Sequence, residues 1–257
     1  MMEYSGPEAG MIMQIDELSH FCDDFLGVDD FEDYCPNGLQ VEGTRPVRKL
    51  VTGVTACQAL IDAAVEEGAD ALLVHHGYFW KGEPQTLTGI KGRRIRRLMR
   101  AGVSLLAYHL PLDAHPTVGN NAELGRVMGW LTTGQQGLIW LGELERPQTA
   151  TGLMEQLGER LDASPLLIGG GDHPVRRIAW CSGAAQSMIG QAAEQGVDAF
   201  VSGEISEQTV HLARELGLHY IAAGHHATER FGVQALGELL AGRFGLEHEF
   251  IDIENPV

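Results

Sequence analysis

KLVTGVTACQALIDAAVEEGADALLVHH, residues 49–76, contains a short apolar run, a stretch with apolar residues at helical spacing, a glycine and a second apolar run. Leu60, Ile61, Ala64 and Val65 fall on one helical face, and Gly68 stands where a left-handed residue would end that helix. The run ALLV lacks polar alternation, as a strand covered on both faces would. The plan returns as RIAWCSG at 177–183 followed by QSMIGQAAEQGVDAFVSGE at 186–204. At a fixed offset of 128, Gln58, Ile61, Ala64, Glu66, Gly68, Asp70 and Ala71 match Gln186, Ile189, Ala192, Glu194, Gly196, Asp198 and Ala199, seven identities in fourteen positions. Identity at that density along one offset points to an internal duplication. Alternating strand and helix predicts a mostly parallel sheet between helical layers in each copy. The expected fold is therefore α/β, with two similar three-layer α/β/α domains over residues 12–130 and 131–257. The second includes a connector with Gly134, Gly137, an LIWL run at 138–141 and a GGGDHP turn at 169–174.

Composition narrows the function classes. With 35 acidic against 18 basic residues, the net charge of −17 opposes attraction to nucleic acid phosphates. Six of the basic residues crowd between Lys91 and Arg100, read as the solvated face of a helix whose Ile95, Leu98 and Met99 point inward, with a phosphate-binding or subunit-contact role as the alternative. No apolar run approaches the roughly 20 residues of a membrane span, and the opening through Met13 has no signal-peptide pattern, so a cytoplasmic protein is expected. Those first dozen residues read as an extension. Cys22, Cys35, Cys57 and Cys181 form no CxxC pair, which argues against a zinc knuckle or a disulfide framework.

Histidines carry the chemical signal. His75 and His76 end the first copy's ALLV strand, at the carboxyl edge where open α/β sheets hold ligands. LLAYHLPLDAH then places His109 and Asp113 four apart, and YIAAGHHATER places His225 and Glu229 four apart in the second copy. Residues four apart share a helical face, so His225 and Glu229 can grip one ion while His226 turns aside. A single strand-end histidine is more often a hydrogen-bonded structural residue. Three such elements at matched places in a duplicated unit favour metal binding. Six N and O ligands exceed one tetrahedral shell and suit two divalent ions, zinc, iron, manganese or nickel, per chain. Glu204, which the duplication sets opposite His76, is a candidate proton shuttle or equally a helix-start carboxylate. His226 and Tyr108 are weaker candidates for substrate contact, and His20, His173 and His248 are expected to be solvated. LIWL reads as a buried strand or as a subunit anchor.

The strings YCPNGLQVEG, VTGVTA, VHHGYFWKG, YHLPLDAHP, GNNA, VSGEISEQT and AAGHHATER, in this order, resemble the dinuclear metal-centre proteins named for NGG-interacting factor, also described as type 2 GTP cyclohydrolase I-like. The resemblance covers nearly the whole chain. It implies two α/β domains of similar topology, a two-metal site in the cleft between them and a ring-shaped homohexamer with the sites facing its interior. The implied ligands are again His75, His76, His109, Asp113, His225 and Glu229. The expected activity is metal-assisted hydrolysis of a nucleotide or related small molecule; the alternative is a non-catalytic metal-binding assembly that stores, senses or interacts.

Overall fold

The computed structural model describes residues 13–257, and the opening segment read above as an extension lies outside the described residues. The chain divides into two compact units. One runs to Leu112 and is completed by Val233–Ile253; the other comprises Asp113–Gly232 and Glu254–Val257.

In the first unit, α1 (Ile15–Leu26) is followed by β1 (Gly38–Val41), β2 (Lys49–Thr55), α2 (Gln58–Glu66), β3 (Ala71–His76), α3 (Gly89–Ala101) and β4 (Ser104–Ala107). Next come α4 (Leu110–Ala114), α5 (Asn120–Met128) and a hairpin of β5 (Leu131–Gln136) and β6 (Ile139–Gln148). The plan then repeats as α6 (Ala150–Leu161), β7 (Leu166–Ile168), β8 (Val175–Cys181), α7 (Ile189–Glu194), β9 (Ala199–Ser202), α8 (Glu207–Leu216) and β10 (His219–Ala222), and the chain closes with α9 (His225–Phe244) and β11 (Glu247–Phe250).

The first sheet has the order β1-β4-β3-β2-β11, and the second β5-β6-β8-β9-β10-β7. In each, the three central strands are parallel and the strand preceding them in sequence pairs antiparallel at their far edge. Registers repeat as well: Leu50 faces Ala71 as Ile178 faces Ala199, both pairs related by the offset of 128. The same carboxylate anchors both frames. Asp70 Oδ2 accepts the N–H groups of Arg48 and Lys49, and Asp198 Oδ2 those of Arg176 and Arg177.

Each sheet is covered on both faces. In the first, Val51, Leu72, Val74 and Leu105 pack on Leu60, Ile61 and Ala64 of α2 and on Ile95 and Leu98 of α3. The alternate residues Leu50, Leu73 and Leu106 are equally buried on the other side. In the second, Ile178, Trp180 and Val201 meet Leu153, Leu157 and Leu161 of α6. Ala179, Cys181 and Phe200 meet Ile189, Ala192 and Ala213 of α7 and α8. Two three-layer α/β/α units thus arise from the duplication. Among the described residues no helix is long and apolar enough to cross a membrane.

Several local expectations change. The boundary expected near residue 130 falls instead at Leu112/Asp113 and again at Gly232/Val233, because the chain's end returns to the first sheet: β11 pairs parallel with β2, Glu247 opposite Lys49. Met99 is exposed; Ile95 and Leu98 carry the inward face of α3, while Arg97 pairs with Asp62 at 2.9 Å. Ile139 and Trp140 of the LIWL run are buried in β6, which is paired on both sides. His248 is not solvated: its Nε2 lies 2.9 Å from Thr52 Oγ1 and it packs against Gly237. His173 stacks on His219 with centroids 4.3 Å apart.

Candidate metal centre

In the first unit, β3 ends in His75 and His76, and the loop after β4 brings His109 beside them. Ring centroids lie 4.5 Å apart for His75–His76, 5.1 Å for His75–His109 and 5.7 Å for His76–His109. One ring nitrogen from each falls within 4.8 Å of the others, close enough to share an ion. Their outer nitrogens are occupied. His75 Nδ1 donates to the Tyr108 carbonyl at 2.8 Å and His109 Nδ1 to Asp33 Oδ1 at 2.7 Å, while His76 Nδ1 meets Thr55 Oγ1 at 3.1 Å. A carbonyl or a carboxylate can only accept, so His75 and His109 must carry their protons on Nδ1 and present Nε2.

Asp33 organises this side. Its Oδ2 accepts the Leu110 N–H and the Asn37 side-chain amide, and Asn37 Oδ1 accepts the His109 N–H at 2.7 Å. Burial raises the Asp33 carboxyl, but the hydrogen bonds from His109 and Asn37 outweigh it and hold the group at about 2. A carboxylate behind a ligand imidazole fixes the ring and raises its basicity, the usual arrangement in histidine metal sites.

In the second unit, β10 leads through Gly224 into α9, whose first turn carries His225 and, one turn on, Glu229. His225 Nε2 lies 3.1 Å from Glu229 Oε2, and its Nδ1 donates to Glu204 Oε1 at 2.7 Å. Burial would lower the His225 pKa; Glu229 and then Glu204 reverse that and lift it to about 9. The proton that Nε2 shares with Glu229 occupies a place that a cation can take. Glycine makes room here: a Cβ on Gly183, at φ +63°, would overlap Glu229 Oε1. Asp113, in α4, is buried, and its Oδ1 accepts from Asn120 Nδ2 at 2.9 Å and Ser182 Oγ at 3.0 Å. Asn121 holds the Asp113 carbonyl and the Ser182 N–H.

Each of the six predicted residues is therefore held by neighbours in its own unit, with all four imidazoles tethered at Nδ1. That donor set suits a borderline divalent cation. His226 is buried, and its backbone N–H donates to the Val257 carbonyl. Tyr108 is fully buried with its hydroxyl on Asp23 and the Ser19 carbonyl, so it cannot touch substrate. Asp33, Asn37, Asn120, Asn121 and Ser182 went unassigned in the sequence. The first four lie in the polar strings DYCPNG and GNNA, which carry no spacing that points to a ligand.

Strand-end imidazoles with fixed tautomers, beside buried carboxylates, define a two-unit α/β protein with groups able to bind divalent metal. A profile of the Duf34/NIF3 family (NGG1p interacting factor 3) matches residues 13–256, and the chain belongs to that family. A protein of Allochromatium vinosum named GTP cyclohydrolase 1 type 2 homolog is 56% identical over 250 residues, covering 96% of this chain and 98% of the relative. An Escherichia coli protein of the same name is 50% identical over 246 residues, covering 95% and 100%. The solved structure of protein ybgI, described as of unknown function, superposes with a TM-score of 0.93 at 50% identity over 95% of this chain and 100% of that one. TTHA1606 from Thermus thermophilus gives 0.89 at 38% identity with the same coverage.

Proposed function

We propose that His75, His76, His109, Asp113, His225 and Glu229 together hold two divalent ions and that the chain uses them to hydrolyse a nucleotide or related small molecule, GTP being the candidate that the relatives' name suggests. The observation that supports this most directly is the shared state of the four imidazoles, each tethered at Nδ1. His109 and Asp113 sit on either side of the boundary between the units but only four residues apart.

Two bound divalent ions would lower the pKa of water to near neutrality and polarise the bond under attack. Around them, Asp33 and Glu204 hold His109 and His225, and Asn120 and Ser182 hold Asp113 by one oxygen. We propose Glu204 as the proton carrier too, since its carboxylate stands one hydrogen bond behind His225. On GTP, water would add at C8 of the guanine, the imidazole ring would open, and a second water would release formate. We further propose that the chain works as a homohexamer.

Metal-loaded protein given GTP is expected to release formate, with the rate lost to a chelator and in Asp113→Ala. Asp113→Ala and Glu229→Ala should empty the centre, from about two ions per chain to one or none. Phosphoester hydrolysis without formate would keep the metal reading and discard the cyclohydrolase one. No turnover across a nucleotide panel would leave a metal-binding assembly. Light scattering checks the hexamer, and a monomer at micromolar concentration would refute it.

A further inference from the structure

We propose that Trp80 is the surface on which a flat heteroaromatic ring of the substrate stacks beside the imidazole trio, with Tyr34 lining the same subsite. The proposal rests on the reading of that trio as part of a reaction centre, and it adds a residue outside the six candidate ligands.

The first observation is a difference between the copies. Twelve residues separate β3 from α3, whereas four separate β9 from α8. The longer segment begins Gly77-Tyr78-Phe79-Trp80; the shorter, Gly203 to Ser206, holds no aromatic residue. An insertion that serves packing would bury its aromatic side chains. Tyr78 does this, with its hydroxyl on the Ala56 carbonyl at 2.5 Å, but Trp80 remains partly exposed and belongs to none of the buried clusters described above.

The second observation is strain. Phe79 has φ 66°, a left-handed conformation that a bulky residue adopts only when its surroundings compel it. The surroundings do so in three ways. Glu83 Oε2 accepts the N–H groups of Phe79 at 2.8 Å and Trp80 at 3.2 Å. Lys91 pairs with Glu83 at 3.4 Å and lies over the Phe79 ring at 5.4 Å. The Trp80 indole N–H donates to the Gly77 carbonyl at 3.2 Å. These contacts set the indole across the trio, 5.0 Å from the His109 ring in an edge arrangement at 83° and 5.9 Å from His76.

The third observation is Tyr34. It is 62% exposed, its ring 6.4 Å from His109, and its carbonyl accepts the Lys81 N–H at 2.6 Å, which ties its loop to the strained turn. An indole and a phenol thus border one group of polar ligand nitrogens. Aromatic faces of this kind hold nucleobases by stacking, with little dependence on the base's hydrogen-bonding pattern.

The test titrates guanosine, and separately inorganic triphosphate, into metal-loaded full-length protein by calorimetry. Trp80→Ala is expected to weaken guanosine about tenfold or more, Trp80→Phe to recover most of that loss, Tyr34→Ala to have a smaller effect, and triphosphate to be indifferent to all three. Metal content should be unchanged in Trp80→Ala. If Trp80→Ala instead loses metal, the indole props the histidines and the stacking proposal falls. It falls as well if Trp80→Ala binds guanosine as wild type does, or if wild type binds no guanosine. Trp80-dependent guanosine binding with no turnover of any nucleotide would sink the hydrolytic reading alone. Formate release whose KM ignores Trp80→Ala would sink only the stacking.

Discussion

The two copies share a frame and part company at the carboxyl ends of their strands. Where the first has His75 and His76, the offset of 128 puts Gly203 and Glu204 in the second. No imidazole could stand at Gly203, since even a Cβ there would lie 2.7 Å from the Gly183 carbonyl oxygen and 2.7 Å from His225 Cα. Thr55, which holds His76, corresponds to Gly183, where a side chain would strike Glu229. The third strands match at an offset of 115, Ala107 with Ala222, yet His109 and His225 lie 116 apart. The extra residue is Gly224, at φ +100°. Duplication has kept what registers the strands and let the strand ends diverge. One unit carries three clustered imidazoles, and the other carries one imidazole with buried carboxylates.

That contrast breaks if glycine is dispensable in the second copy. Gly203→Ala forces a methyl against fixed backbone, and Gly183→Ala adds a positive φ to a clash with Glu229. Each is expected to cost about 3 kcal/mol in urea denaturation, and Gly183→Ala should also deplete metal. Thr55→Ala at the matching place should cost no more than about 1 kcal/mol. Gly183→Ala protein with wild-type stability and full metal would refute the steric account. The shared frame is probed next: Asp70→Ala and Asp198→Ala each orphan two backbone N–H groups and should lose about 2 kcal/mol, within about 0.5 kcal/mol of one another. A large inequality would mean that the two anchors do different work.

Much of this frame was legible in the sequence because it is written locally. Apolar runs without alternation marked β3 and β9, helical spacing with Gly68 and Gly196 marked α2 and α7, and adjacent histidines at strand ends marked candidate ligands. What escaped acts over long separations. Asp33 meets His109 across 76 residues, Ser182 meets Asp113 across 69 and Gly232 meets Asn120 across 112. No periodicity encodes such contacts. β11 escaped for another reason: EHEF has no apolar run, and the strand exists only because β2 offers it an edge. The single boundary near residue 130 followed from that omission, since nothing in the sequence announced that the chain returns to its first sheet. Met99 shows the limit of helical phase, where one residue's rotation separates a buried position from an exposed one.

The candidate ligand imidazoles permit a finer comparison between the copies. Asp33→Asn and Glu204→Gln keep an acceptor for Nδ1 but remove its charge, and each should weaken metal binding about 10- to 100-fold in competition with a chelator dye. Equal effects would show that the carboxylate behind His109 and the one behind His225 play one role in two units. A slower turnover in Glu204→Gln beyond its metal loss, measured with the ions saturating, would add the proton-carrying role.

The smallest effect is expected at Thr55. Its hydroxyl meets His76 Nδ1 at 3.1 Å, longer than the 2.7 Å of either carboxylate contact, and it brings no charge. Charge-assisted hydrogen bonds are about twice as strong as neutral ones, and a neutral bond contributes about 1 kcal/mol net. Thr55→Val keeps the branched shape that suits the end of β2 while deleting the hydroxyl, so packing should be little disturbed. Metal affinity should then fall by no more than about fivefold, and stability by less than about 1 kcal/mol. His76 would still be aimed by its place at the end of β3, opposite Thr55 in the strand register. Should Thr55→Val cost as much metal affinity as Asp33→Asn, charge on the outer partner is not what ranks these supports, and the orientation of the ring alone must be the controlling variable.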